Sequence, residues 1–264
     1  MMRKRLISAA LAVFWTLLAA AGAFAAEGRT SPAELTVSAA MSLKDAFEEI
    51  GGIFEKGRPG VKVVFNFSSS GKLRQQLLAG APVDVFASAS EKDMNLLEKA
   101  GLIYPTTRAD FAGNVIVLIR PKGAEAPVSF NSLKDKRIMR IAMGHPDTSP
   151  AGAYSKEVLE SLGLWEGLRP KLIFAETVRQ ALDYLLRGEA DAAILYASDI
   201  VQAGSVEIAE RAPAGSHKPI VYPIAAVKGS FNKILSEEFI KLVTSPKGKD
   251  ILRSKGFQAE GKGR

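Results

Sequence analysis

An α/β architecture with mainly parallel sheets in two lobes is the fold class that the sequence predicts. Short β-branched and apolar runs alternate with segments whose apolar residues return every three or four positions, along nearly the whole chain. At the joins a hydroxyl or small residue stands repeatedly, where a helix N-cap or first turn belongs. The 264 residues, 47% hydrophobic and 24% charged, have an ordinary globular balance and suffice for one large domain or two modest ones.

Taken in order, ELTVSAA (34–40) reads as a strand and SLKDAFEEIGGIFEKG (42–57) as a helix. VKVVFNF (61–67) is a second strand. SGKLRQQLLAG (70–80) is a helix closed by Gly80, which suits the left-handed C′ position. VDVFASA (83–89) is a strand, and Ser90 caps the helix that follows it. NVIVLIR (114–120), RIMRIAM (137–143), KLIFA (171–175), AAILYAS (192–198), SVEIAE (205–210) and KPIVYPIAAV (218–227) are further strands. Between them lie a turn around FNSLKD (130–135), a helix AGAYSKEVLESLG (151–163) preceded by Pro150, a helix TVRQALDYLLRGE (177–189) and a short helix SDIVQAG (198–204). Helices over 230–245 and 245–256 close the pattern. This order assigns residues 32–112 to lobe I and 113–222, opening with GNVIVLIRP, to lobe II.

The first stretch is of another kind. Arg3, Lys4 and Arg5 precede an apolar run from Leu6 to about Leu18, and Ala23-Phe24-Ala25 fits a small-residue cleavage pattern. Residues 1–25 are therefore expected to be a secretory signal peptide and the rest an exported, soluble, periplasmic protein. Without Arg3, Lys4 and Arg5 the formal charge falls from +7 to +4. The remaining basic residues are interspersed with acidic ones, so nucleic acid is not an expected partner. The chain has no cysteine, which excludes thiolate metal sites, cysteine nucleophiles and a lipoprotein anchor. Its two histidines, His145 in GHPD and His217 in GSHKP, have no catalytic or zinc spacing. An enzyme is not expected, and neither is a cofactor.

In parallel α/β sheets ligands gather beyond the carboxyl ends of strands, where helices begin. A helix start offers free N–H groups and a partial positive charge, which suit an anion. Ser42 follows LTVSAAM; Ser68, Ser69 and Ser70 follow VKVVFNF, with Gly71 next; Pro150-Ala151-Gly152 opens one helix and Thr177-Val178 another; Tyr196 ends a strand. Each has a plainer reading. Ser42 could simply cap its helix, and Tyr196 could be a core tyrosine with a satisfied hydroxyl. The serine triplet exceeds what one cap needs, and the small residues beside it leave room for a ligand near the backbone. Val178 has only its backbone N–H to offer.

The stretches SAAMSLKDAF, FNFSSSGKLRQQLLAGAPVDVFASAS, GNVIVLIRP, GHPDTSPAGAYSKEVLESLGLWEGLRPKL, FAETVRQAL, ILYASD, SHKPIVYPIAAV and the final GF resemble, in order, the periplasmic molybdate-binding proteins of ABC-type uptake systems. These belong to the type II periplasmic binding proteins. The resemblance implies two hinge crossovers, near Gly113 and Tyr222, a ligand cleft between the lobes, and a return of 223–264 to lobe I. It also implies that Ser42 and Ser69 from lobe I, and Ala151, Val178 and Tyr196 from lobe II, hold the oxyanion. The serines would donate through hydroxyl and N–H, Ala151 and Val178 through N–H, and Tyr196 through its phenol.

Every one of these groups is neutral. Burying a dianion is costly unless it is fully hydrogen-bonded, and each hydrogen bond to a charged group contributes about 1.5–3 kcal/mol. With no carboxylate in the set, an oxyanion that keeps a proton would lack an acceptor. Molybdate and tungstate are both expected to bind. Sulfate or phosphate is the alternative guest. The implied partner is the membrane permease of an ABC transporter, served by a monomeric receptor.

Overall fold

Leu35, Val37 and Ala39 share one face of the first strand and are fully buried, and Ser38 and Ala40 on the other face are buried as well, as in a sheet covered on both sides. The computed structural model describes residues 33–201 and 203–259. The expected leader at 1–25, its cleavage point, and the first residue assigned to lobe I lie outside the described residues. Strand β1 (Ala33–Ala40) passes through a 3-10 turn at Met41–Leu43 into helix α1 (Lys44–Lys56). Then follow β2 (Val61–Ser68), α2 (Ser70–Leu78), β3 (Val85–Ala87), α3 (Glu91–Lys99) and β4 (Ala109–Gly113). Helix α2 closes as its sequence predicts: Gly80 has φ +86°, and the amides of Gly80 and Ala81 reach back to the carbonyls of Leu77 and Gln76.

The next run is β5 (Ile116–Pro121), β6 (Ile141–Gly144), α4 (Pro150–Ser161), a short α5 (Trp165–Leu168), β7 (Leu172–Ala175), α6 (Val178–Leu186), β8 (Ala192–Tyr196) and β9 (Val206–Arg211). The chain closes with β10 (Val221–Ala226), α7 (Lys233–Thr244), α8 (Pro246–Ser254) and β11 (Gln258–Ala259). One sheet has the order β11-β4-β10-β3-β1-β2 and the other β7-β6-β8-β5-β9, the two-lobed α/β arrangement the alternation predicts.

The sheets are mixed, however, and not mainly parallel. β1 pairs in parallel with β2 and β3, and β6 with β7 and β8. β10 is antiparallel to β3 and β4, β11 to β4, and β5 to β8 and β9. The reason is topological. β4 and β9 run towards the edge where the sheets face each other, so the strands that follow the crossings, β5 and β10, must start at that edge and run away from it. Val221 pairs with Gly113, which puts the crossings 114–115 and 212–220 side by side. β4, β11 and α5 had no clear sequence signal: ADFAG has an aspartate and a glycine in place of an alternating apolar face, and the other two are very short.

Helix α7 packs on α1, so the last helices complete the first sheet's layer. Phe239 of α7 meets Phe47 and Phe54 of α1 edge-on, at ring-centroid distances of 5.9 and 5.4 Å. All three rings are fully buried. Each such ring contributes on the order of 2–3 kcal/mol by burial, and together they anchor residues nearly two hundred positions apart in sequence.

Candidate functional site

The carboxyl ends of β1, β2 and β3 face those of β6, β7 and β8 across a narrow cavity with room for about 10 Å³. Ser42, Ser69, Ala151, Val178 and Tyr196 all line it, so the structure brings every candidate residue together. A larger groove of about 480 Å³ between Pro82 and Phe231 contains none of them.

Ser42 sits in the 3-10 turn, and α1 starts after it with no side-chain cap. The capping role is thus absent. Its Oγ lies 3.1 Å from the Tyr222 hydroxyl instead. Ser69 has the extended backbone of an N-cap to α2, yet its side chain accepts no cap bond. Its hydroxyl is buried and has no hydrogen-bond partner. Ser70 is used differently, accepting the Ala89 N–H at 3.0 Å. Gly71 does not make room for a ligand, as the sequence suggested. A Cβ there would stand 2.5 Å from the carbonyl oxygen of Thr148, to which Gly71 donates its N–H at 3.1 Å.

On the other side, Ser149 and Thr177 cap α4 and α6. Each accepts the N–H of the residue three positions on, Gly152 at 3.4 Å and Gln180 at 3.2 Å. The caps leave the earlier first-turn amides, of Ala151 and Val178, without a partner inside their helices. Gly152 lets α4 begin close to β6, since a Cβ there would meet the Gly144 carbonyl at 2.2 Å. Tyr196 ends β8 with its N–H donated to the Asp199 carboxylate at 3.1 Å. Its ring is fully buried and its hydroxyl has no partner. Burial pushes the phenol well above its ordinary pKa, so it stays protonated and able to donate.

A buried, unsatisfied hydroxyl costs about 1–3 kcal/mol. Two of them meeting in one cavity from opposite sides call for a ligand that accepts. Ser155, the other such hydroxyl among the described residues, is on α4 and does not line the cavity.

No charged side chain lines the cavity among the described residues. Charges stand outside it, in pairs. Glu176 meets Lys72 across the cleft, and Arg179 meets Asp45 at 3.1 Å. Glu176 is thereby turned to a lysine, as an acid next to an anion site should be. Asp84 accepts the Thr36 N–H at 2.7 Å and the Ser230 hydroxyl at 2.5 Å, a structural role. Asp199 is raised to about 7, chiefly by burial, against the pull of the Tyr196 N–H and Arg179. Neither histidine lines the cavity, and no cluster of metal-ligating side chains occurs among the described residues. The arrangement presents N–H and O–H donors with no carboxylate, no cation and no nucleophile–base pair. It can bind an anion.

Sequence reasoning placed Thr177 at its helix start but missed Ser149 as a cap side chain at the cavity, although serine before proline at a helix start was a legible signal. It also missed the partnership of Ser42 with Tyr222, which no local pattern announces.

Residues 35–258 match the family described as bacterial extracellular solute-binding protein. The chain is 38% identical over 245 residues to the molybdate-binding protein ModA of Escherichia coli (strain K12), covering 90% of this chain and 92% of that one. The structure matches the periplasmic molybdate-binding protein of Azotobacter vinelandii with a TM-score of 0.76 at 28% identity, covering 84% of this chain and 98% of the other. It also matches the sulfate-binding protein SubI of Mycobacterium tuberculosis H37Rv, with a TM-score of 0.74, covering 86% of this chain and 87% of the other, but at 17% identity that likeness shows the fold alone. No helix among the described residues is long and apolar enough to cross a membrane. By its fold, its cleft and its sequence the chain belongs to the bacterial extracellular solute-binding proteins.

Proposed function

We propose that this protein captures molybdate, and tungstate with it, outside the cytoplasm and delivers it to the permease of an ABC transporter. The observation that carries the reading is the pair of buried hydroxyls without partners, Ser69 and Tyr196, facing one uncharged cavity from opposite lobes. An oxyanion that keeps no proton uses such donors fully. Charge cannot separate molybdate from sulfate, and the molybdate-binding proteins among the relatives favour the larger anion.

Ser42, Ser69, Ala151, Val178 and Tyr196 are the ligand-holding groups in this reading. Because they come from both lobes, closure and binding are coupled. The hinge is the pair of crossings, with 32–112 and 223–264 as one lobe and 113–222 as the other, and the receptor works as a monomer.

Calorimetric titration with molybdate tests this. Ser69→Ala is expected to weaken binding about 10- to 100-fold, the loss of one hydrogen bond to a charged group, with the melting temperature kept. Competition by tungstate, sulfate and phosphate ranks the guests. Unchanged affinity in Ser69→Ala removes the site, and tighter binding of sulfate or phosphate replaces the guest.

A further inference from the structure

Ser42 is placed at the cavity by a chain of hydrogen bonds that begins at the crossings between the lobes. Asn114 is the first residue of one crossing. Its Oδ1 accepts the Val115 N–H at 2.9 Å, which fixes the orientation of the amide. Its Nδ2 then points to the Tyr222 hydroxyl at 3.1 Å and to the Ser198 hydroxyl at 2.8 Å. Tyr222 is the second residue of β10, at the end of the other crossing, and is fully buried. Its ring is held edge-on by Phe111 and Phe257, at 6.3 and 5.3 Å between centroids.

The direction of the chain follows from counting protons. Asn114 Nδ2 has only protons to offer, so the Tyr222 oxygen accepts there. The phenol's own proton must go elsewhere: the Tyr196 ring packs beside Tyr222 but its hydroxyl makes no hydrogen bond there, whereas Ser42 Oγ is 3.1 Å away. If Ser42 donated to Tyr222 instead, the buried phenol proton would be left unsatisfied, at a cost. Ser42 therefore accepts from Tyr222, and its own proton is free for the cavity it lines.

We infer that Tyr222 and Asn114 are positioning residues for anion capture: Asn114 donates to Tyr222, Tyr222 donates to Ser42, and Ser42 is thereby held as a donor to the oxyanion. The inference rests on Ser42 being a ligand group, as in the proposed function. It adds that residues outside the cavity, at both crossings, set the polarity of that group. Bonds polarised in series also strengthen one another. A change in the angle between the lobes would act directly on this chain.

The test is a double-mutant cycle, read by titration of the full chain with sodium molybdate. Ser42→Ala is expected to weaken binding about 10- to 100-fold. Tyr222→Phe keeps the ring and removes the donor, and is expected to weaken binding about 3- to 10-fold. In the Ser42→Ala background Tyr222→Phe should change affinity by less than about 2-fold, because coupled residues are not additive. An equal loss in both backgrounds means that Tyr222 acts on packing alone, and overturns the inference while leaving the site intact. Unchanged affinity in Tyr222→Phe overturns it as well.

Asn114→Asp gives an independent route should Tyr222→Phe fold poorly. A carboxylate accepts the phenol proton and so turns the Ser42 proton away from the cavity. The loss should exceed that of Tyr222→Phe. The repulsion of the new charge is common to both backgrounds, so the coupled part is the difference between Asn114→Asp with Ser42 and with Ala at position 42. No such difference overturns the inference. If Ser42→Ala itself binds normally while Ser69→Ala does not, Ser42 is no ligand group, and the inference falls although the proposed function stands.

Discussion

Tyr196 and Ser69 carry a cost in the folded protein that no neighbour in the chain relieves. Each hydroxyl is buried without a partner, the kind of local fault that proteins retain where they work. Tyr196→Phe should therefore separate stability from function. Removing an unsatisfied hydroxyl is expected to leave the unliganded melting temperature equal or slightly raised, while molybdate affinity falls about 10- to 100-fold. Differential scanning calorimetry beside titration checks both. A fall in both together would mean that the hydroxyl has a structural partner. At this scale the sequence was informative about position and silent about state. Ser69 stands out in a serine triplet, but that it accepts no cap bond while Ser70, Ser90, Ser149 and Thr177 hold backbone amides depends on distances no sequence window contains. Val178 shows the limit most clearly, since what it offers is an N–H that every residue but proline has.

Helix starts are the working elements. The first turn of α2 from one lobe is set against the loop before α4 from the other, and the two touch through the Gly71 N–H and the Thr148 carbonyl. Gly71 is needed for this approach, not for a bent backbone. Gly71→Ala is expected to favour α2 locally, since alanine is the better helix former by about 1 kcal/mol, yet to hold the lobes apart. Its Cβ would otherwise meet Thr148 at 2.5 Å. Weakening of molybdate binding by about 10-fold or more is expected, on the scale of 1–3 kcal/mol for overpacking a tight contact. Small-angle scattering with saturating ligand should show a less compact particle than the parent protein. Normal affinity and normal compaction would show that the contact is dispensable. The alternation of apolar spacing identified α1, α2, α4, α6 and their strands because each buries one face locally. β4 and β11 escaped because they are edge or near-edge strands, β4 placed by β10 and β11 by β4.

Across the whole molecule, the lobes meet through ion pairs outside the cavity and neutral donors inside it. Arg179 and Asp45 are both substantially exposed, and such pairs contribute about 0.2–1 kcal/mol. Arg179→Ala is thus expected to lower molybdate affinity no more than about 5-fold at low salt. The difference should vanish towards 1 M salt, where the screening length is about 3 Å. Titrations at two ionic strengths read this directly. A large, salt-independent loss would instead put Arg179 on the ligand. The neutral interior explains why the ion pairs stand apart: a guanidinium in the cavity would hold any anion, whereas fixed dipoles hold one whose size and protonation match them.

The α/β class, the order of most elements and the positions of the five ligand candidates are legible in the sequence, because helix and strand periods, caps and motif resemblance are properties of short stretches. The mixed sheets, the unpartnered hydroxyls and the Asn114–Tyr222–Ser42 chain are not. Tyr222 lies 180 positions from Ser42 and 108 from Asn114. Only the crossing of the chain between lobes brings them within hydrogen-bonding distance, and only that closeness decides which proton points at the guest.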